Sequence, residues 1–146
     1  MSVKFLRHGE STSNSGENDC VDAGLTERGR QQVRNLQGRY ALVIVSPLRR
    51  TRETFEATRI AGTYVIYEPR CRERISAPRD CMVGEVFVPE NDQVFDARLR
   101  EFKTRLAAWD DLFRTSGDIL IVGHSHFFSF FDDRLRGIAN GEIRGL

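Results

Sequence analysis

The tripeptide Arg7-His8-Gly9 closes a short apolar run, Val3 to Leu6. An imidazole can act as a nucleophile through an unprotonated ring nitrogen. A guanidinium beside it can grip a planar or tetrahedral anion through its fork of donors. Gly9 lets the backbone turn sharply and come close to a ligand. Related groups recur further along. Arg49, Arg50 and Arg52 follow the apolar run Ala41–Val45, and Gly123-His124 follows Asp118–Val122. A phosphoryl group bound for attack carries spread negative charge, so its transfer depends on positioning and fixed positive charge. Arginine and histidine at three chain positions could supply both.

Those residues need a scaffold that brings them to one edge. The apolar runs read as strands, and parallel strands in open α/β sheets bind ligands at their C-terminal ends. After the first strand, Glu10 to Gly24 is polar and reads as a loop. Thr26 is a candidate N-cap with Glu27 well placed behind it. Leu25, Gly29, Val33, Leu36 and Tyr40 fall near helical spacing. Gly29 inside a helix implies close packing against the sheet, since it is about 1 kcal/mol less favourable there than Ala. Ala41–Val45 has the continuous apolar character of a strand buried on both faces. Ser46 is the expected cap of the next helix, with Pro47 at its first position and an end near Ala57 or Thr58. Arg50 would then sit in the first turn, where N-terminal amides also favour an anion.

Tyr64–Tyr67 predicts a third strand. Glu68–Asp92, with Pro69, Pro78, Pro89 and four arginines, reads as a long excursion over the ligand-binding edge. Phe95, Leu99, Phe102, Leu106, Trp109 and Phe113 mark an amphipathic helix. Asp118–Val122 is the fourth strand, and Phe127–Leu135 reads as helical. A last strand after Asn140-Gly141-Glu142 must be very short or missing. Alternating strands and helices predict a three-layer α/β/α sandwich with a mostly parallel central sheet. The 146 residues fit one domain spanning 1–146.

Formal net charge is +1, so no whole-molecule attraction to nucleic acid or membrane is expected. The only lysines are Lys4 and Lys103; the remaining basic residues are arginine. Cys20, Cys71 and Cys81 have no paired spacing and suggest neither a disulfide framework nor a zinc site. A reducing, cytoplasmic setting is the simpler expectation. No run is long enough to span a bilayer.

Four stretches occur in an order that resembles one family: Arg7-His8-Gly9, Leu25-Thr26-Glu27-Arg28-Gly29, Ser46-Pro47-Leu48-Arg49-Arg50-Thr51-Arg52-Glu53-Thr54 and Val122-Gly123-His124. Together they resemble the histidine phosphatase superfamily, also called the phosphoglycerate mutase-like family, over nearly the whole chain. The resemblance implies that His8 becomes a phosphohistidine and that Arg7, Arg50 and His124 hold the phosphoryl oxygens. Asn14 matches a further family contact to that group. The Ser-x-Leu-x-Arg register falls on Ser46, Leu48 and Arg50, which sets Arg50 ahead of its neighbours Arg49 and Arg52. The family commonly supplies a glutamate acid after the third strand, and Glu73 in Arg72-Glu73-Arg74 is the best match. Asp80 and Glu85 are rivals, because the usual Gly-x-x-Glu-Gly continuation is absent. The plain alternative for Glu73 is an exposed pairing with its flanking arginines. His126 reads as structural or as a support to the site, with substrate binding as the alternative.

The implied activity is a metal-independent phosphatase without cofactor, acting on a phosphorylated small molecule or phosphoprotein. The alternatives are phosphoglycerate mutase-type transfer and a silent module that binds a phosphorylated partner. Mutases of the family are typically much longer and often carry Trp just before the Asn, where this chain has Ser13. Composition leaves the oligomeric state open.

Overall fold

The computed structural model describes residues 2–146. Five strands form one sheet: β1 (Val3–Arg7), β2 (Gln37–Val45), β3 (Arg59–Tyr67), β4 (Ile119–Gly123) and β5 (Ile143–Gly145). Their order is β3-β2-β4-β1-β5. The first four run parallel, and β5 pairs antiparallel with β1. The helices are α1 (Glu27–Val33), α2 (Arg49–Ala57), α3 (Asp92–Phe113) and α4 (Ser125–Phe131).

Alternation along the central strands divides the core in two. Phe5, Leu42, Ile44, Ile119 and Ile121 join Phe95, Phe102, Phe127 and Phe128, so this face carries α3 and α4. Leu6, Val43, Val45, Leu120 and Val122 face the other way, against Ile60 with Leu36 and Phe55. Burying each large apolar side chain stabilises the fold by about 1.5–3 kcal/mol relative to leaving it in water. These two apolar faces make the three layers.

Several local boundaries differ from the sequence reading. Leu36 and Tyr40 do not extend α1, which ends at Val33; Tyr40 already lies in β2. Leu36 lies in the connection to β2, so their helical spacing is that of a loop residue and a strand residue that both face the core. Thr26 caps α1 as expected, accepting the Gly29 N–H. Ser46 and Pro47 do not open α2; it starts at Arg49 with Leu48 at the N-cap. Asp22 replaces Ser46 as the cap, accepting the Arg49 N–H at 2.7 Å. To do so Asp22 adopts φ of 51°, the left-handed region, where Asp is tolerated better than most residues. β3 begins at Arg59, earlier than Tyr64. The final strand is indeed short, three residues.

Gly29 packs against the loop after β1 rather than against the sheet. A Cβ on Gly29 would lie 2.1 Å from the Glu10 carbonyl oxygen, and one on Gly9 would lie 2.4 Å from the Gly29 oxygen. Both obstacles are backbone, so neither can swing aside. Gly→Ala within a helix normally stabilises by about 1 kcal/mol. Here Gly29→Ala is expected to destabilise by about 1–3 kcal/mol, the usual effect of overpacking. A urea titration reads the sign; a raised midpoint would show that the crossing is looser than described.

Candidate active site

The C-terminal edge of the sheet holds a cavity of about 130 Å³ lined only by polar residue types. Arg7, His8, Asn14, Arg50 and Glu73 border it, with Asp80, Arg79, His126 and four serines. Arg7 and His8 stand at the end of β1, and Arg50 lies in the first turn of α2. Glu73 comes from the excursion after β3, and His126 from α4.

His8 is buried. The loop after β1 folds back against the start of α1, where the Thr26 N–H donates to the Glu10 carbonyl. The His8 Nδ1 lies 2.6 Å from the Gly9 carbonyl oxygen. A carbonyl can only accept, so Nδ1 carries the hydrogen and Nε2 keeps its lone pair. Burial holds the imidazole pKa well below its usual value, helped by Arg50 and then Arg7 and opposed by the Gly9 bond. The backbone of His8 is tied down as well. Its N–H donates to Gly123 at 3.1 Å, and its carbonyl accepts from the Asn140 amide at 3.0 Å. The next N–H, of Gly9, donates to Thr54 Oγ1 at 3.0 Å. Thr54 on α2 thus supports the turn.

Arg50 is buried and doubly anchored. Its Nη2 donates to Asp80 Oδ1 at 3.1 Å and its Nη1 to the Arg79 carbonyl at 3.0 Å. Asp80 in turn accepts the N–H groups of Ser76 and Ala77 and the Ser76 hydroxyl. Arg49 and Arg52 point elsewhere: Arg49 pairs with Glu53, and Arg52 donates to the Pro47 carbonyl. The first amide of α2 is taken by Asp22, and the full positive charge that this helix brings to the cavity is the Arg50 guanidinium. Arg7 donates through Nη1 to the Ile138 carbonyl at 3.0 Å. Burial lowers its pKa, with Glu73 opposing and Arg50 assisting. A guanidinium remains charged regardless.

His124 lies on the same side of the sheet as His8, with ring centroids 5.4 Å apart. It does not border the cavity; it is fully buried behind it. Its Nε2 lies 2.7 Å from Ser46 Oγ, the hydroxyl that the sequence assigned to capping. Its Nδ1 is buried without a partner among the described residues. Burial, then Arg50 and His8, hold the His124 pKa well below the usual value. Asn14 is exposed at the rim, its Oδ1 accepting from the Ser11 N–H and the Asn140 amide.

Glu73 is not paired with its flanking arginines. Arg72 binds Glu85, and Arg74 binds Asp92. The Glu73 carboxyl lies against the start of α4 instead, accepting the backbone N–H groups of Phe127 at 2.8 Å and His126 at 3.3 Å, and the backbone N–H of Arg74 at 3.0 Å. Burial pushes its pKa above the ordinary carboxylate value, although Arg50, His126 and these amides pull the other way. Of its rivals, Glu85 is fixed to Arg72 and held down to about 2, chiefly by that bond. Asp80 accepts three hydrogen bonds at Oδ2 from Ser76 and Ala77 and one at Oδ1 from Arg50, so its carboxylate is engaged in holding Arg50 and its own loop.

Sequence reasoning missed Asp22, Thr54 and Asn140. Each is a short polar side chain whose partner is a backbone group far away in the chain, so spacing carries no trace of it.

The fold has known counterparts. The chain superposes on an alpha-ribazole phosphatase from Shigella flexneri with a TM-score of 0.69 and 19% identity, covering 99% of this chain and 89% of that one. A mycobacterial glucosyl-3-phosphoglycerate phosphatase in complex with VO3 gives 0.65 and 18%, covering 99% and 90%. A phosphoserine phosphatase from Entamoeba histolytica in complex with 3-phosphoglyceric acid gives 0.64 and 15%, covering 99% and 89%. Identities this low carry the fold alone. No curated protein sequence matches. The profile described as Histidine phosphatase superfamily (branch 1) matches residues 3–77, which span Arg7, His8, Asn14, Arg50 and Glu73. The chain belongs to the histidine phosphatase superfamily.

Proposed function

We propose that this protein is a phosphatase that hydrolyses a phosphate monoester, or a phosphorylated protein side chain, through a phosphohistidine on His8. The observation that carries the reading is the His8 imidazole, oriented by Gly9 so that Nε2 is unprotonated beside two guanidinium groups. His8 Nε2 attacks phosphorus while the bond to the ester oxygen breaks. Glu73 gives its proton to the departing oxygen, and Arg7 and Arg50 hold the phosphoryl oxygens. Asn14 contacts the same group from the rim, and His124 offers its unpaired Nδ1 from behind. Water then attacks the phosphohistidine, with the Glu73 carboxylate taking its proton, and phosphate leaves. The positive charge is protein-borne, so the reaction uses no metal and no cofactor. A cytoplasmic setting suits three free thiols.

The test is direct. Enzyme mixed with an aryl phosphate and quenched in alkali is expected to carry phosphate that is stable to base and labile to acid. Turnover is expected to persist in EDTA. Label on serine or cysteine overturns the mechanism, as does activity that chelation removes and magnesium or zinc restores. A module that only binds phosphorylated partners would release no phosphate.

The pH profile follows from the two shifted groups. His8 must be neutral to attack, and its depressed pKa keeps it so well below 6.5. Glu73 must be protonated to donate, and its raised pKa keeps the proton above the ordinary carboxylate range. For an alkyl phosphate, His8 is therefore expected to put no acid limb near 6.5 on kcat/KM, its protonation lowering the rate only well below that pH. On the alkaline side it falls as Glu73 ionises. An acid limb centred near 6.5 would contradict the burial of His8 as described.

A further inference from the structure

The segment that carries Glu73 is irregular, yet its carboxyl must meet a leaving oxygen at hydrogen-bond distance. We propose that Arg98, on α3 and outside the cavity, is the positioning residue that fixes this segment and aims Glu73. The proposal rests on Glu73 being the proton donor.

One guanidinium binds the chain on the near side of Glu73. Arg98 Nη1 donates to the carbonyls of Arg70 at 2.9 Å and Arg72 at 2.8 Å, and Nη2 donates to that of Glu73 at 3.3 Å. Its remaining donors meet Glu90, Nε at 2.9 Å and Nη2 at 2.6 Å. Glu90 secures the far side: its Oε1 accepts the Ile75 N–H at 2.9 Å, and its own N–H donates to the Ile75 carbonyl at 2.9 Å. Residues on both sides of Glu73 are thereby bound to one pair of side chains.

The pair is itself held still. The side chains of Arg98 and Glu90 are 16% and 8% exposed. The guanidinium lies over the Phe95 and Phe127 rings, 5.1 and 5.7 Å from their centroids. Phe127 is the residue whose N–H holds the Glu73 carboxyl. Arg98 therefore sets both the backbone under Glu73 and the ring beside its anchor. A lysine would keep the charge but could not serve three carbonyls and a carboxylate through a planar fork.

The test compares an alkyl phosphate with an aryl phosphate, whose oxygen leaves without a proton. A displacement of about 1 Å at a reacting group can lower the rate on the order of 100-fold. Arg98→Lys is expected to lower kcat for the alkyl substrate by about 10–100-fold, with KM little changed and aryl turnover within about 3-fold. In the Glu73→Gln background, Arg98→Lys is expected to leave the alkyl-to-aryl ratio unchanged, since the group it aims is gone. Loss of both substrates in equal proportion, or a further fall of the ratio in the double variant, overturns the positioning role and leaves the Glu73 assignment standing. A Glu73→Gln single variant with an unaltered ratio overturns both together. If Arg98→Lys does not fold by circular dichroism, Glu90→Gln decides by the same ratio. It can keep the Ile75 contact while weakening the hold on Arg98, and a ratio equal to the parent's refutes the proposal.

Discussion

His8→Ala is expected to lower turnover of an aryl phosphate by at least about 10⁴-fold, to the background of the assay. Among the described residues the other imidazole bordering the cavity is that of His126, and no hydrogen bond fixes its ring. Arg7 and Arg50 are donors only, and Glu73 is engaged with the start of α4. The neighbouring His124 is not a substitute: it is buried behind the cavity and its Nε2 is engaged with Ser46. Because His8 is also buried, its removal leaves a small cavity. A destabilisation of about 1–3 kcal/mol is expected and can be read by thermal melting. Binding should survive, since both guanidinium groups remain. The informative result is folded protein that still binds inorganic phosphate and forms no acid-labile phosphoprotein. Full activity in this variant would remove His8 from the chemistry.

Glu73→Gln is expected to separate substrates by their leaving groups. General acid catalysis typically contributes about 10²–10⁴-fold, and only where the departing oxygen is a poor leaving group. Alkyl phosphate turnover should fall within that range while aryl phosphates change little. The substitution is close to isosteric and Gln Oε1 can still accept the Phe127 N–H, so α4 keeps most of its cap. The alkaline limb of the pH profile should vanish with the carboxyl that produces it. Equal loss for both substrate classes would mean that Glu73 supports the site without donating a proton.

The strand ends assigned to the proposed chemistry were legible because each joins a mostly apolar run to a short polar signature. That held for Arg7-His8 after β1 and for Gly123-His124 at β4. Arg50 was legible through register, and burial separates it from Arg49 and Arg52, which sequence spacing alone leaves equivalent. The boundary of α1 was not legible. Leu36 and Tyr40 are buried or partly buried for reasons unconnected with a helix, and periodicity cannot tell a helix face from a strand that enters the same core. The surroundings of Glu73 were hidden for another reason. Arg72 and Arg74 looked like its partners, but their carboxylates lie 13 and 18 residues further on. Only the folded excursion places Glu85, Asp92 and the start of α4 in reach.

The all-polar lining of the cavity bears on selectivity. Its guanidinium groups and imidazole suit the phosphoryl group, which is the part that substrate and product have in common. On the proposed reaction, inorganic phosphate can occupy the same contacts after the ester bond is cut. Whatever lets the protein prefer an ester over its own product must then come from surfaces beyond the cavity. The same holds for telling one ester from another. Discrimination therefore falls to the rim, where the side chains of Asp19 in the first loop and Arg79 in the excursion meet; only exposed side chains are free to vary there, because the backbone of the same excursion carries Glu73 and anchors Arg50.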